Sequence, residues 1–241
     1  MKFQKLCLAV TVLVTMIAIA PASATCTNAN LIGVWGYFVG ASVGHFTADG
    51  AGNITNGSGT VSQNGVIGTQ TYTGTYSIST KCTGSITINF NGGGSSTSNF
   101  VIDNAKKGAE VINTDSGSVA QGFTAAEGLV TCGLSGKKAT FAANLFGKIV
   151  NTGPVAYVSQ VILDGKGGVS GSGTFDVAGT IVTSPTMTGS YTENADCTGT
   201  LKITPSGFST LNFNFVVVNA GKEILLLETD NNTIVGGNMQ K

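Results

Sequence analysis

The chain contains no arginine and few charged residues of any kind. All 12 of its basic residues are lysines, 12 acidic residues balance them, and charged residues make up only 10% of the sequence. Arginine is the side chain best suited to pairing with phosphate, and a protein that binds nucleic acid needs a basic face. The composition therefore argues against nucleic acid as a partner.

Histidine is also scarce, because His45 is the only one in the chain. A serine or cysteine triad would have a single base to use, and no nucleophile motif accompanies it. Paired carboxylates are conceivable, but the acidic residues fall mainly at turns and strand ends. We therefore predict no catalytic residue and no cofactor, and we interpret His45 as an ordinary strand residue rather than a general base.

The N-terminus has the pattern of a signal peptide over residues 1–24. Lys2 and Lys5 precede an apolar run over residues 6–20, and Ala22-Ser23-Ala24 supplies the small residues of a cleavage site. The mature chain would then be secreted or periplasmic, with a net charge of about −2. A retained membrane anchor is the alternative. No later segment is long and apolar enough to span a bilayer.

An internal duplication organises the rest of the chain. Shifting the sequence by 115 residues aligns residues 49–122 with 164–237 without a gap and gives 21 identities in 74 positions. We therefore predict two copies of one unit, over 25–124 and 132–241, joined by a linker over 125–131. The ordered blocks of identity are Thr73-Gly74-Thr75-Tyr76 with Thr188-Gly189-Ser190-Tyr191, Cys82-Thr83-Gly84 with Cys197-Thr198-Gly199, and Asn99-Phe100-Val101 with Asn214-Phe215-Val216.

Four cysteines remain once Cys7 leaves with the signal peptide. Three pairings are possible, and the duplication favours Cys26–Cys82 and Cys132–Cys197 because the two copies then carry equivalent bonds. Loops of that size would stabilise each unit by about 4 kcal/mol. The cysteines lack the CxxC-type spacing of a metal site, so we predict structural disulfides and no bound metal.

Apolar and polar residues alternate with period two through both copies, as in Leu211, Phe213 and Phe215 with Asn212 and Asn214. Asp-Gly and Asn-Gly turns separate the alternating runs. We therefore predict an all-β protein of two tandem antiparallel eight-stranded repeats, each a barrel or a sandwich that hides its strand edges. The only weak helical candidate covers 136–144. The predicted strands of the first unit span 31–39, 43–47, 54–62, 66–79, 85–90, 98–103, 110–114 and 119–124.

One face differs between the copies. Asp103 and Glu110 of the first copy correspond to Val218 and Leu225 of the second. An apolar patch in place of acidic charge suggests a contact surface. We predict that Val218 and Leu225 contact repeat 1 or another chain, through self-association or a protein partner. An internal core position is the alternative.

Two glycine-rich loops, over residues 49–53 and 164–168, begin with aspartate. They lack the further carboxylates and the closing glutamate of a calcium loop. We predict Asp-Gly hairpin turns with a glycine bulge at both places.

The segment Leu31-Ile32-Gly33-Val34-Trp35, which opens the first strand, resembles the Gly-x-Trp signature of lipocalins and related calycin barrels. The resemblance implies a small apolar ligand inside the barrel, with Trp35 closing one end of the core. The nearest match in repeat 2, Leu145-Phe146-Gly147-Lys148-Ile149, lacks the tryptophan, and the arginine that packs over it in lipocalins is missing. The whole pattern also resembles a tandem module of uncharacterised exported bacterial β proteins, which implies no activity.

Three classes of function remain open. In a ligand-binding barrel, Trp35, Tyr72, Tyr76 and Phe100 would line a cavity for a small apolar molecule. The second class is a structural or adhesive surface protein, and the third is a cofactor-free enzyme of the barrel-cyclase kind. An eight-stranded barrel either holds one small ligand or is filled by its own side chains. We favour a noncatalytic binding or surface module.

Overall fold

A computed structural model describes residues 25–103, 107–128 and 132–241. They form two closed, eight-stranded antiparallel barrels in tandem, which confirms the predicted fold class and selects the barrel over the sandwich. The predicted signal peptide lies outside the described residues. Within those residues, no helix is both long and apolar enough to cross a membrane.

Barrel 1 is a simple meander in which each strand pairs with the next and β8 pairs back with β1. A short 3-10 helix, Asn28–Leu31, precedes it. The last strand extends to Ala126 and so takes in the first two residues of the predicted linker. The strands are β1 (Gly33–Val39), β2 (Ser42–Ala48), β3 (Asn53–Gln63), β4 (Val66–Ile78), β5 (Thr83–Phe90), β6 (Ser95–Ile102), β7 (Gly108–Asn113) and β8 (Gln121–Ala126).

Barrel 2 repeats this meander, with β16 pairing back with β9. The helix considered over 136–144 is wrong, because β9 begins at Ala139 and its side chains alternate between buried Phe141 and Ala143 and exposed Ala142 and Asn144. The strands are β9 (Ala139–Ile149), β10 (Gly153–Leu163), β11 (Gly168–Val177), β12 (Thr180–Glu193), β13 (Thr198–Pro205), β14 (Leu211–Val218), β15 (Glu223–Glu228) and β16 (Thr233–Gln240).

The chain crosses one end of each barrel before its first strand, and we call this the closed end. In barrel 1 the Tyr76 hydroxyl donates to the carbonyl of Asn28 at 3.1 Å. In barrel 2 the Tyr191 hydroxyl donates to the carbonyl of Leu134 at 3.3 Å. The two tyrosines occupy equivalent positions in the repeat, and in each barrel the hydrogen bond from the tyrosine fixes the entering chain over the core.

Disulfides tie the same end together, and both predicted bonds, Cys26–Cys82 and Cys132–Cys197, are confirmed. Cys82 and Cys197 each have a left-handed backbone with a φ of 63°. The glycine that follows two residues later is required in barrel 1, since a Cβ atom on Gly84 would overlap the ring of Phe100. The repeated Cys-Thr-Gly block is thus a turn that carries the disulfide and makes room for the core.

The two barrels pack side by side through outer faces, with β14 and β15 lying across β1 and β2. Val218 and Leu225 are completely buried there. Of the partners that the sequence left open for these two residues, repeat 1 is the one the structure shows. The apolar interface consists of Phe38, Val43, Ala125, Val216, Val218, Leu225 and Leu227, with Phe123 beside it.

Hydrogen bonds between the barrels set their relative orientation. At the end opposite the disulfides, the Ser62 hydroxyl donates to the carbonyl of Thr233 at 2.6 Å. At the closed end, the backbone N–H of Ala220 donates to the carbonyl of Glu127 at 3.0 Å. The ends opposite the disulfides therefore lie on the same side of the molecule, and in barrel 1 we call this end the open end or mouth.

Candidate functional site

The interior of barrel 1 holds a cavity of about 480 Å³ towards the open end. Sites for small molecules usually have volumes of about 300–1,000 Å³ and mostly apolar walls with a few polar groups. The cavity therefore has the size and the lining of a ligand site. Its main apolar lining residues are Tyr37, Val39, Phe46, Val61, Tyr72, Ile86, Ile88, Phe90, Phe100 and Val111.

Of the four residues expected to line a ligand site, the structure places two on the cavity wall, Tyr72 and Phe100. Trp35 and Tyr76 belong to the same core cluster but lie towards the closed end, away from the wall. The chain enters β1 from the closed end, so Trp35, near the beginning of that strand, lies at the bottom of the barrel. It is only 1% exposed.

Tyr72 is a fixed part of the wall. Its ring packs edge-on against Tyr37 and Phe90, with centroid separations of 6.2 Å and 6.3 Å. Its hydroxyl donates to the carbonyl of His45 at 3.2 Å. Burial raises the pKa of Tyr72 well above its usual value, so the side chain stays neutral.

Polar groups gather where the cavity opens. The Ser42 hydroxyl accepts a hydrogen bond from the Gln70 amide at 3.1 Å and lies 3.3 Å from the Tyr37 hydroxyl. Ser98 also faces the cavity, and among the described residues its hydroxyl has no hydrogen-bond partner. A bound molecule could therefore bond to this hydroxyl without displacing an existing contact.

Asp115 is the one charged side chain among the residues that line the cavity. Its carboxylate accepts hydrogen bonds from the Ser96 hydroxyl at 2.7 Å, the Thr97 backbone N–H at 2.9 Å and the Asn113 amide at 3.0 Å. The bonds from Ser96 and Asn113 lower the pKa of Asp115, so it carries a negative charge at neutral pH. The dipeptide Thr114-Asp115, which recurs as Thr229-Asp230 in the second copy, thus places a carboxylate at the mouth of barrel 1.

The duplicated unit explains why barrel 1 is hollow. Ser98 pairs with Asn113 in barrel 1, and the same register pairs Phe213 with Glu228 in barrel 2. The Phe213 ring is 2% exposed and belongs to the core of its barrel. A small hydroxyl in one copy therefore replaces a large ring in the other.

A second pair of cross-strand partners is also smaller in barrel 1 than in barrel 2. Ala109 pairs with Thr124 in barrel 1, whereas Ile224 pairs with Met239 in barrel 2. Both members of the larger pair are buried in the core of barrel 2. The smaller pair leaves space on the β7–β8 side of barrel 1.

The mouth of barrel 2 is covered by aromatic rings. Tyr157 and Phe175 are register partners with centroids 5.0 Å apart, and Phe208 stacks on Phe175 at 6.2 Å. Ser42 and Val61 form the corresponding pair in barrel 1. Barrel 1 is therefore open at the place where barrel 2 is plugged.

On the first two strands, in contrast, the larger inward-facing side chains belong to barrel 1. Barrel 1 has Tyr37 and Phe46 there, and barrel 2 has Ala143 and Val161 at the corresponding register positions. The large side chains of barrel 1 thus form one wall and leave the opposite side, around Ser98 and Thr124, empty. The sequence analysis did not identify Ser98 and Thr124 as cavity residues. A comparison of side-chain size at inward positions of the two copies, aligned by the 115-residue shift, would have indicated them.

The counterpart of Trp35 in repeat 2 is Phe141. Trp35 pairs with Phe46, and Phe141 pairs with Val161, the residue that corresponds to Phe46. The sequence match of the Gly-x-Trp segment to residues 145–149 is therefore wrong. The β9–β10 hairpin is longer than the β1–β2 hairpin, so the 115-residue shift does not apply to the first strand. The Lys241 ammonium lies 5.3 Å from the centroid of the Phe141 ring, so a cation covers the ring in this copy.

His45 lies on the outside of β2, against the segment that joins the barrels. Its Nδ1 is 3.2 Å from Oε1 of Glu127, which is only 6% exposed. The hydrogen bond to Glu127 raises the pKa of His45, and burial opposes that effect. Asp196 of barrel 2 lines the same small cleft. The histidine therefore belongs to the junction between the barrels and not to the interior cavity.

The aspartate-glycine loops are hairpin turns, as predicted. The Asp49 carboxylate accepts hydrogen bonds from the backbone N–H groups of Ala51, Gly52 and Asn53. The side-chain and backbone bonds from Asn53 are the main causes that lower the pKa of Asp49 to about 2. Across residues 25–103, 107–128 and 132–241, no group of three or more His, Cys, Asp or Glu side chains could hold a metal ion.

A groove of about 840 Å³ runs along the outer face of barrel 1. Val101 and Ile112, which line it, are 54% and 57% exposed. Their counterparts in the repeat frame, Val216 and Leu227, are buried between the barrels. The same face of the unit thus forms the interface in repeat 2 and is free in repeat 1.

Comparison of the chain with protein-family models, curated proteins and solved structures finds no match.

Proposed function

We propose that this is an exported, noncatalytic binding protein whose first barrel holds a small apolar molecule. The observation that carries the proposal is the cavity of about 480 Å³ in barrel 1, at positions where barrel 2 is filled by larger side chains such as Phe213 and Met239. An empty apolar volume lowers stability, and barrel 2 demonstrates that the same unit folds with a filled interior. A hollow barrel therefore has a cost that ligand binding would offset.

Several sequence features support export and binding. The signal-peptide pattern and two disulfides fit an oxidising compartment outside the cytoplasm. The Gly-x-Trp segment that resembles lipocalins lies at the closed end, with the cavity above it. In that arrangement the duplicate barrel is a filled support, packed on the barrel that binds.

The test is a titration of the full chain with N-phenyl-1-naphthylamine, a neutral dye that fluoresces in apolar surroundings. We expect saturable binding of one dye per chain. Ser98→Phe, which introduces the side chain that repeat 2 carries, should weaken binding at least about tenfold, a change of about 1.4 kcal/mol. The matched control is Asn99→Gln, an exposed neighbour on the same strand.

A further variant separates the interior cavity from the outer groove. Ile112→Asn removes an apolar side chain from the groove, and binding should be unchanged. Loss of binding in this variant, together with normal binding by Ser98→Phe, would contradict the proposal. Failure of the dye to bind at all would instead favour a structural or adhesive surface module.

A further inference from the structure

We infer that the cavity of barrel 1 selects an uncharged apolar molecule with a hydroxyl group, such as a medium-chain alcohol, and rejects the corresponding carboxylate. This inference rests on the proposed function and specifies the ligand of that site.

The cavity has no cation to receive an anionic head group. No lysine is among the residues that line it, and the chain has no arginine. Two of the three lysines of repeat 1, Lys81 and Lys107, lie in the β4–β5 and β6–β7 loops, at the closed end, and Lys106 lies outside the described residues. A buried carboxylate would lose its hydration and find no cation to compensate for that loss.

The one charge at the mouth has the wrong sign for an anion. The Asp115 carboxylate is held in place by Ser96, Thr97 and Asn113, and it would repel a second carboxylate that entered past it. These donors occupy three of its roughly four accepting positions, so it acts on a ligand mainly through its charge.

The remaining polar groups suit a neutral hydroxyl. Ser98 offers a hydroxyl that can donate or accept, and Ser42 and Gln70 form a second polar pair on the wall. Neutral hydrogen bonds of this kind orient a ligand without requiring it to carry charge. An apolar chain would extend towards Phe46 and Phe100, which line the same cavity.

The experiment compares 1-decanol with decanoic acid, each displacing N-phenyl-1-naphthylamine from the full chain. At pH 7.5 decanol should bind at least about tenfold more tightly than decanoate. At pH 4, where the acid is mostly neutral, the difference should shrink to within about threefold. Decanol provides the reference at both pH values, so a general effect of pH on the protein cancels.

A variant neutralises the charge at the mouth. Ser118 is exposed in the β7–β8 loop and lines the opening. Ser118→Lys should raise the affinity for decanoate relative to that for decanol at least about threefold, because it supplies the missing cation. Ser118→Gln, of similar size and neutral, should leave the ratio of the two affinities as it is in the wild type.

The outcomes separate the two proposals. If the dye does not bind, the proposed function fails. If the dye binds but decanol does not displace it, or if decanol and decanoate bind equally at pH 7.5, the site binds apolar molecules and the selectivity inferred here is wrong. If decanoic acid remains as weak at pH 4 as at pH 7.5, charge is not the cause of its exclusion, and the inference is also overturned.

Discussion

Ser98 and Phe213 occupy the same position in the two barrels, and they face the interior from the same strand of the same meander. Each belongs to the terminal residue pair between its strand and the next, Ser98 with Asn113 and Phe213 with Glu228. One position thus carries a small hydroxyl beside a cavity and a large ring inside a packed core. The duplication provides an internal comparison of a hollow and a filled barrel.

Truncation at these two positions should have very different effects. Phe213→Ala removes a ring that is 2% exposed and should lower the free energy of unfolding by about 3–5 kcal/mol. Ser98→Ala removes a hydroxyl without a partner among the described residues and should change it by less than about 0.5 kcal/mol. Urea denaturation followed by circular dichroism measures both. Equal losses in the two variants would mean that barrel 1 is packed in solution.

The interface between the barrels gives a second prediction. Leu225→Asp places a carboxylate at a fully buried position against barrel 1 and should cost at least about 3 kcal/mol. Trp35, the only tryptophan, reports the unfolding of barrel 1 by fluorescence, so loss of the contact is visible in the partner barrel.

The matched control is Glu110→Leu, the reverse exchange at the corresponding exposed position of repeat 1. It should change stability by less than about 0.5 kcal/mol. Unchanged stability of Leu225→Asp would show that the two barrels do not pack through this face.

The architecture could be predicted because its signals are local or repeated. Alternation and turn residues located all the strands of barrel 1 to within a few residues, since a half-buried strand requires a period of two. The equivalence of Cys26–Cys82 and Cys132–Cys197 selected the pairing. The replacement of Asp103 and Glu110 by Val218 and Leu225 indicated the interface face, because removal of charge accompanies burial.

The cavity could not be predicted in the same way. Whether a barrel is hollow depends on side chains that meet across its interior from strands distant in sequence, such as Tyr37 on β1 and Ser98 on β6. A residue such as Trp35 signals burial but not its height in the barrel, and its height decides whether it lines a ligand site. The correspondence of Trp35 with Phe141 was hidden by a change in hairpin length, which only the strand register reveals.

Glu228 makes the stability of barrel 2 depend on pH. It is 2% exposed, and within the described residues its Oε2 has no partner. Burial, with a smaller contribution from Asp230, raises its pKa to about 8. The unfolded chain releases this proton near pH 4.5, so stability should fall as the pH rises from about 4.5 to 8 and then level off.

The wild type should lose roughly 2–4 kcal/mol of unfolding free energy between pH 5 and pH 8 through Glu228. Glu228→Gln should not show this loss. Denaturation curves at pH 5, 6.5 and 8 measure the effect, with Glu110→Gln as the control for an exposed carboxyl. If wild type and Glu228→Gln have parallel pH profiles, Glu228 is either ionised or hydrated in the folded barrel.

His45 allows the junction between the barrels to be followed directly, because it is the only histidine in the chain. Its hydrogen bond to Glu127 raises its pKa, and burial acts in the opposite direction. The Cε1 proton resonance, followed by NMR, should therefore report a raised pKa for His45 in the wild type and a lower pKa in Glu127→Gln, where burial remains and the partner charge is lost. Asp196→Asn should produce a smaller decrease, and Asp176→Asn, near the end of β11 and outside this cleft, should produce none. A titration midpoint that Glu127→Gln leaves unchanged would mean that the segment joining the barrels does not hold this contact in solution.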